Sequence, residues 1–159
     1  MGPRGAAALA EGMSNGSLRT LDISYNNVVA EPLFEYTDSS PGSKVTLHGR
    51  ELTVLLNHGA ERFTQGGGKA VWVQDWSGIL AIAEALKVPT GSLSKLRLDG
   101  NGLSSRILGT EHPEGMQALA QALQMNTTLQ CLTLQDNDLG LMCAAAFICG
   151  HIILNRIVP

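Results

Sequence analysis

Apolar residues recur along this chain with two different periods. The shorter period appears three times. It runs Leu18, Leu21, Ile23, Val28, then Leu93, Leu96, Leu98, Leu103, then Leu129, Leu132, Leu134, Leu139. Within each run, apolar residues at alternate positions put two side chains on one face of a short strand. The longer period lies upstream of each run, in Ala8–Met13, Ala81–Leu86 and Ala118–Leu123. Ala, Leu, Glu and Gln favour a helix, and the small Ala side chains let it pack closely on a sheet. Gly5, Gly78 and Gly115 stand three residues before these segments. The pattern predicts a repeated unit of helix, short turn and short strand.

No such unit can bury its apolar face alone, so the units must stack with their strands side by side in parallel. Asn26, Asn101 and Asn137 occupy one shared place, where the chain leaves the strand. An amide there can both donate to and accept from backbone groups of adjacent units that have no ladder partner. These three Asn therefore read as a structural ladder rather than as ligand contacts.

The spacing Leu-x-x-Leu-x-Leu/Ile-x-x-Asn-x-Leu/Val, with an Ala-rich helix before it, resembles the ribonuclease-inhibitor-like class of leucine-rich repeats. Ribonuclease inhibitors, the sensor ends of NOD-like receptors and Ran GTPase-activating proteins carry similar units. The resemblance covers roughly residues 5–28 and 78–139, with a degraded continuation to the C-terminus. It implies an α/β fold: a short solenoid with parallel strands on the concave side and helices on the convex side. It also implies a protein-binding surface instead of an enclosed active site.

The intervals between units are irregular. The runs start at Leu18, Leu93 and Leu129, so they are 93 − 18 = 75 and 129 − 93 = 36 residues apart. A plain unit of this class takes about 28 residues. One domain over residues 1–159 is expected, with a long insertion at about 29–77 and a short inserted loop at 104–114, marked by Gly109, Thr110 and Pro113. Inside the long insertion, Lys44–His48, Glu51–Leu56 and Ala70–Trp76 read as three strands of a small antiparallel sheet. The alternative is an irregular repeat with a helix over Glu51–Arg62. Trp72 and Trp76 would share one face of the third strand and pack on the solenoid. Gly66-Gly67-Gly68-Lys69 lacks the Ser or Thr of a phosphate loop and reads as a turn.

Composition narrows the function classes. The 159 residues carry a net charge of −3 and no block of one sign, so bulk electrostatics does not point to nucleic acid. Cys131, Cys143 and Cys149 form no C-x-x-C pair and read as reduced thiols, which suits the cytoplasm or nucleus. The most apolar run, 140–154, is broken by Gly150 and His151 and is too short to span a bilayer. His48, His58, His112 and His151 are scattered outside any nucleophile or metal motif. Neither cofactor, metal nor membrane is expected.

The residues between the leucines should face the concave side: Thr20, Asp22, Ser24; Lys95, Arg97, Asp99; Cys131, Thr133, Gln135. Tyr25, Gly100 and Asp136 follow at the exits. The candidate partner-binding set is Thr20, Asp22, Ser24, Tyr25, Lys95, Arg97, Asp99, Thr133, Gln135 and Asp136. The expected function is a non-catalytic protein–protein interaction scaffold, using these strands and the rim insertion. One alternative, resembling the Ran-specific class, is a GTPase-activating protein that uses Arg50, Arg62 or Arg106. Another is a fragment or isoform of a larger innate-sensor, ciliary or cytoskeletal scaffold, since Met1 begins inside a unit and Leu154-x-x-Ile157-x-Pro159 starts a further motif. Uncapped ends would then dock on other copies or on a larger assembly. If the long insertion is looped out, Asp22 lies beside Arg97 and Ser24 beside Asp99.

Overall fold

The computed structural model describes residues 1–33, 43–47, 50–54, 71–103, 105–107, 110–112, 114–137, 139 and 157–158. Three helices carry the Ala-rich segments: α1 (Pro3–Met13), α2 (Ser77–Leu86) and α3 (Glu114–Met125). Each is followed by a three-residue strand: β1 (Thr20–Asp22), β6 (Lys95–Arg97) and β9 (Cys131–Thr133). Together with β10 (Ile157–Val158) they form a parallel sheet in the order β1-β6-β9-β10. The register aligns Leu21 with Leu96, Leu96 with Leu132 and Leu132 with Ile157. The motif positions are therefore also the pairing positions, and the fold is mixed α/β.

The alternation works as the side-chain geometry dictates. Leu21, Leu96 and Leu132 point inward and are buried, while their neighbours Thr20, Asp22, Lys95 and Arg97 are exposed. The inward residues merge with Ala6, Met13, Ile79, Ile82, Leu86, Met116 and Leu119 from the helices into one core. Full burial of a Leu or Ile contributes about 1.5–3 kcal/mol. The helices approach closely at their first turns. A Cβ on Gly78 would lie 2.6 Å from the Val28 carbonyl oxygen and 2.8 Å from that of Pro3. Asn126 ties the helix ends together: its amide donates to the Leu86 carbonyl at 2.7 Å, and its oxygen accepts from the Leu129 N–H at 2.7 Å.

The long insertion adds no strand to the parallel sheet, because β1 pairs directly with β6. Instead it holds a separate antiparallel sheet of β2 (Ala30–Leu33), β3 (Lys44–Leu47), β4 (Arg50–Val54) and β5 (Val71–Gln74), in the order β2-β5-β4-β3. Ala30 stands opposite Gln74, so the chain leaves and re-enters the parallel sheet at one point. The helix considered over Glu51–Arg62 is replaced by strand at its start, where Thr53 and Val54 pair with Gln74 and Val73. Strand β2 has no counterpart in the sequence reading. It contains Pro32, which cannot donate to a ladder and suits the edge position that β2 takes. The strand expected to run through Trp76 stops at Gln74. There the Asp75 carboxylate accepts the Ser77 N–H at 2.9 Å and starts α2.

The expected loop at 104–114 contains two short strands among its described residues. It holds β7 (Ser105–Ile107) and β8 (Thr110–His112), which pair antiparallel with Ile107 opposite Thr110. The Gly109 read as a loop marker lies between the two strands, outside the described residues. The turn at 66–69 and residues Cys143, Cys149 and His151 also lie outside them.

Candidate functional site

The exposed face of β1, β6 and β9 is a small polar surface whose parts are tied across units. Arg97 sits between two carboxylates, 3.5 Å from Asp22 and 3.2 Å from Asp99. Its side chain is half exposed, so the direct Coulomb gain is modest. Lys95 and Thr20 stand beside it, exposed and opposite one another across β1 and β6. The Asp22 carboxylate accepts the Ser24 N–H at 3.1 Å. That bond and a second from Ser24, reinforced by Arg97, hold the Asp22 carboxyl below its ordinary range.

Asp99 differs from the other candidates. It was expected on the open face but is only 2% exposed. Its carboxylate accepts from the Thr133 hydroxyl at 2.9 Å, the Gln135 N–H at 2.9 Å, Arg97 at 3.2 Å and the Ser24 hydroxyl at 3.5 Å. The cause is position: Asp99 belongs to the middle unit, and both neighbouring units close over it. These donors compensate the water that its buried oxygens give up. Asp99 is therefore a tie between units and not a free contact. Thr133 and Ser24 are half-buried around it, while Gln135 remains exposed.

The exits form a second set of ties. Tyr25, Gly100 and Asp136 occupy equivalent places and all have positive φ, at 58°, 62° and 56°. Only Gly takes this conformation at no steric cost. The Tyr25 ring lies over Gly100, where any Cβ would collide with it. Its hydroxyl continues to the third unit and donates to the Asp136 carboxylate at 2.5 Å. Tyr25 is 66% exposed, and that bond together with the nearby negative charge raises its pKa. A single aromatic side chain thus straps three units on the solvent side.

Beneath the strap the asparagines form a ladder. The Asn101 oxygen accepts the N–H groups of Asn26 at 3.0 Å and Val28 at 3.3 Å, and its amide donates to the Ile23 and Asp99 carbonyls. Asn137 repeats this one unit along. It accepts from Asn101 and Leu103 and donates to Leu98, Leu134 and Gln135. Asn26 is half-buried: its amide donates to the Ser24 carbonyl, and its oxygen accepts from the Met1 amino group.

All ten candidate residues therefore lie on one surface, but in two roles. Thr20, Asp22, Lys95, Arg97, Tyr25, Gln135 and Asp136 are exposed; Asp99 is buried, and Ser24 and Thr133 support it. Cys131, also on this face, is a half-buried free thiol. The side chains of Arg50, Arg62 and Arg106, on which the GTPase-activating expectation rests, lie outside the described residues. Among the described residues, no helix is long and apolar enough to cross a membrane. The chain matches no family model, no curated protein and no solved structure.

Proposed function

We propose that this chain is a non-catalytic scaffold of the leucine-rich-repeat class that binds a protein partner on its strand face, with the inserted sheet at the rim. The reading is a short solenoid of ribonuclease-inhibitor-like type. Its main support is the equivalence of the units. Residues 75 and 36 positions apart, such as Leu21, Leu96 and Leu132, share both register and burial. The same offsets link Asn26, Asn101 and Asn137. A further support is the character of the face, where exposed Lys95, Arg97 and Asp22 sit on strands fixed from behind by the ladder. Polar groups held on a rigid frame lose little entropy on binding and suit recognition of another folded surface.

The test is capture of partners by the full chain, compared with a Lys95→Glu/Arg97→Ala variant whose melting curve is recorded in parallel. A partner retained by the wild-type chain and lost from the folded variant is expected. Partners that all survive the double substitution would contradict the reading.

A further inference from the structure

Behind the inserted sheet lies a cleft of about 460 Å³, bounded by β3, β4, β5 and the first turns of α2 and α3. Lys44, Thr53 and Gln74 face it as one cross-strand row, set by the pairing of Lys44 with Thr53 and of Thr53 with Gln74. Trp76 and Leu80 supply apolar lining, and Glu51 and Glu114 line it as well. The opposite face of this sheet is spent on its own small core of Val45, Leu52, Val54 and Val73.

One atom in the row stands out. Gln74 is 6% exposed, and its amide nitrogen is buried without a hydrogen-bond partner among the described residues. Buried amide donors are almost always satisfied, and an exception calls for an explanation. Its neighbours are already engaged: Lys44 donates to the Thr53 hydroxyl at 2.7 Å and lies 4.0 Å from Glu51. Among the described residues, no acceptor engages this donor. The formal charge of the lining is negative, with Glu51, Asp75 and Glu114 against Lys44. An anionic ligand is disfavoured there, whereas a neutral carbonyl beside a cationic group satisfies both features.

We propose that this cleft binds a short segment of partner polypeptide carrying a basic residue. A main-chain carbonyl accepts from the Gln74 amide. The basic side chain lies along Trp76 and Leu80 and ends near Glu51, where aromatic face and carboxylate both favour a cation. The volume falls within the range of small-ligand pockets and takes one or two residues, not a folded surface. The proposal rests on the reading of the chain as a protein-binding scaffold and gives its rim insertion a defined ligand.

The test is a nuclear magnetic resonance titration of the full chain with acetyl-arginine methylamide, with acetyl-glutamate methylamide and acetyl-norleucine methylamide as controls. Saturable shifts of the Gln74 side-chain amide and the Trp76 indole are expected with the arginine probe, and binding weaker by about tenfold or more with the glutamate probe. Gln74→Leu keeps the volume and removes the lone donor. It should weaken the arginine probe about tenfold while leaving the melting temperature equal or higher. Glu51→Gln, at an exposed position, should weaken the arginine probe and leave the norleucine probe unchanged. Absence of shifts at Gln74 and Trp76, equal binding of the glutamate probe, or indifference to both substitutions overturns the proposal. If that happens while partner capture still depends on Lys95 and Arg97, the cleft alone is refuted. If the probe binds as expected but capture ignores Lys95 and Arg97, the strand-face reading alone is refuted.

Discussion

The two four-stranded sheets of this molecule are held in opposite ways. The parallel sheet shares one core with α1, α2 and α3, and its strands are stitched together by the buried Asn101, Asn137 and Asp99 and by the exposed Tyr25. Among the described residues, the antiparallel sheet has its own buried cluster, Val45, Leu52, Val54 and Val73, separate from the core shared by the helices. A sheet whose cluster is separate from the main core is expected to open locally at lower free energy than one continuous with it. The two sheets meet at one place: Ala30 pairs with Gln74, while β1 pairs directly with β6.

The sharpest way to break this contrast is to cut the ladder. Asn101→Leu removes an acceptor for two backbone N–H groups and a donor to two carbonyls in one step. A loss of about 3 kcal/mol or more is expected, because several backbone groups lose their partners at once. Chemical denaturation would record it, with the parallel sheet and helices unfolding together. Asn26→Ala, at a half-buried position, should cost far less; equal losses would mean that the ladder is not what joins the units.

Gly78→Ala comes next. The new methyl would press on the carbonyl oxygens of Val28 and Pro3, which are backbone atoms and cannot rotate away. Overpacking of this kind costs about 1–3 kcal/mol and should appear as a lowered melting temperature. A neutral outcome would show that α1 and α2 are free to separate.

In the inserted sheet, Val54→Ala should cost about 2 kcal/mol locally by leaving a cavity beside Val45, Leu52 and Val73. Its signature is selective. Amide exchange should accelerate in β3, β4 and β5, while the ladder amides keep their protection. Uniform acceleration would mean that the two sheets unfold as one unit.

The smallest effect belongs to the exit strap. The Tyr25 pKa is raised in the folded state, chiefly by its bond to Asp136. The protonated phenol is therefore favoured by folding. That contribution is fully present below the ordinary phenol pKa, about 10, and is lost as pH rises through the folded value. Ultraviolet titration should show one late-titrating tyrosine, and Asp136→Asn should move it back. Asp22 behaves in the opposite sense. Its lowered pKa adds stability above its ordinary value of 3.8, and this is lost as pH falls through the folded value.

Much of the parallel sheet was legible because burial there follows chain periodicity. Leucines at alternate positions and an Asn three residues after the last one mark strand, core face and exit without knowledge of the rest. Asp99 was misread for the same reason. Alternation places it outward, but its enclosure depends on Ser24 and Gln135, residues 75 and 36 positions away. Only its placement in the middle unit could have signalled this. In the insertion, β2 escaped notice because Pro32 argues against a strand and its partner β5 lies some forty residues further on. Gln74 gave a faint signal, a polar residue ending the apolar run Val71–Val73. Nothing in sequence says that its amide nitrogen has no partner among the described residues.

Native-state hydrogen exchange on the unmodified chain tests the central claim most directly. The amides of Ile23, Leu98, Asn101 and Leu103, bonded across units, should exchange only through global unfolding and share one high free energy. The Val54 amide, bonded to the Ser43 carbonyl within the insertion, should exchange at a distinctly lower free energy. If the Val54 amide is as protected as the ladder amides, or the ladder amides exchange first, the division into a stitched frame and a loosely held insertion is wrong.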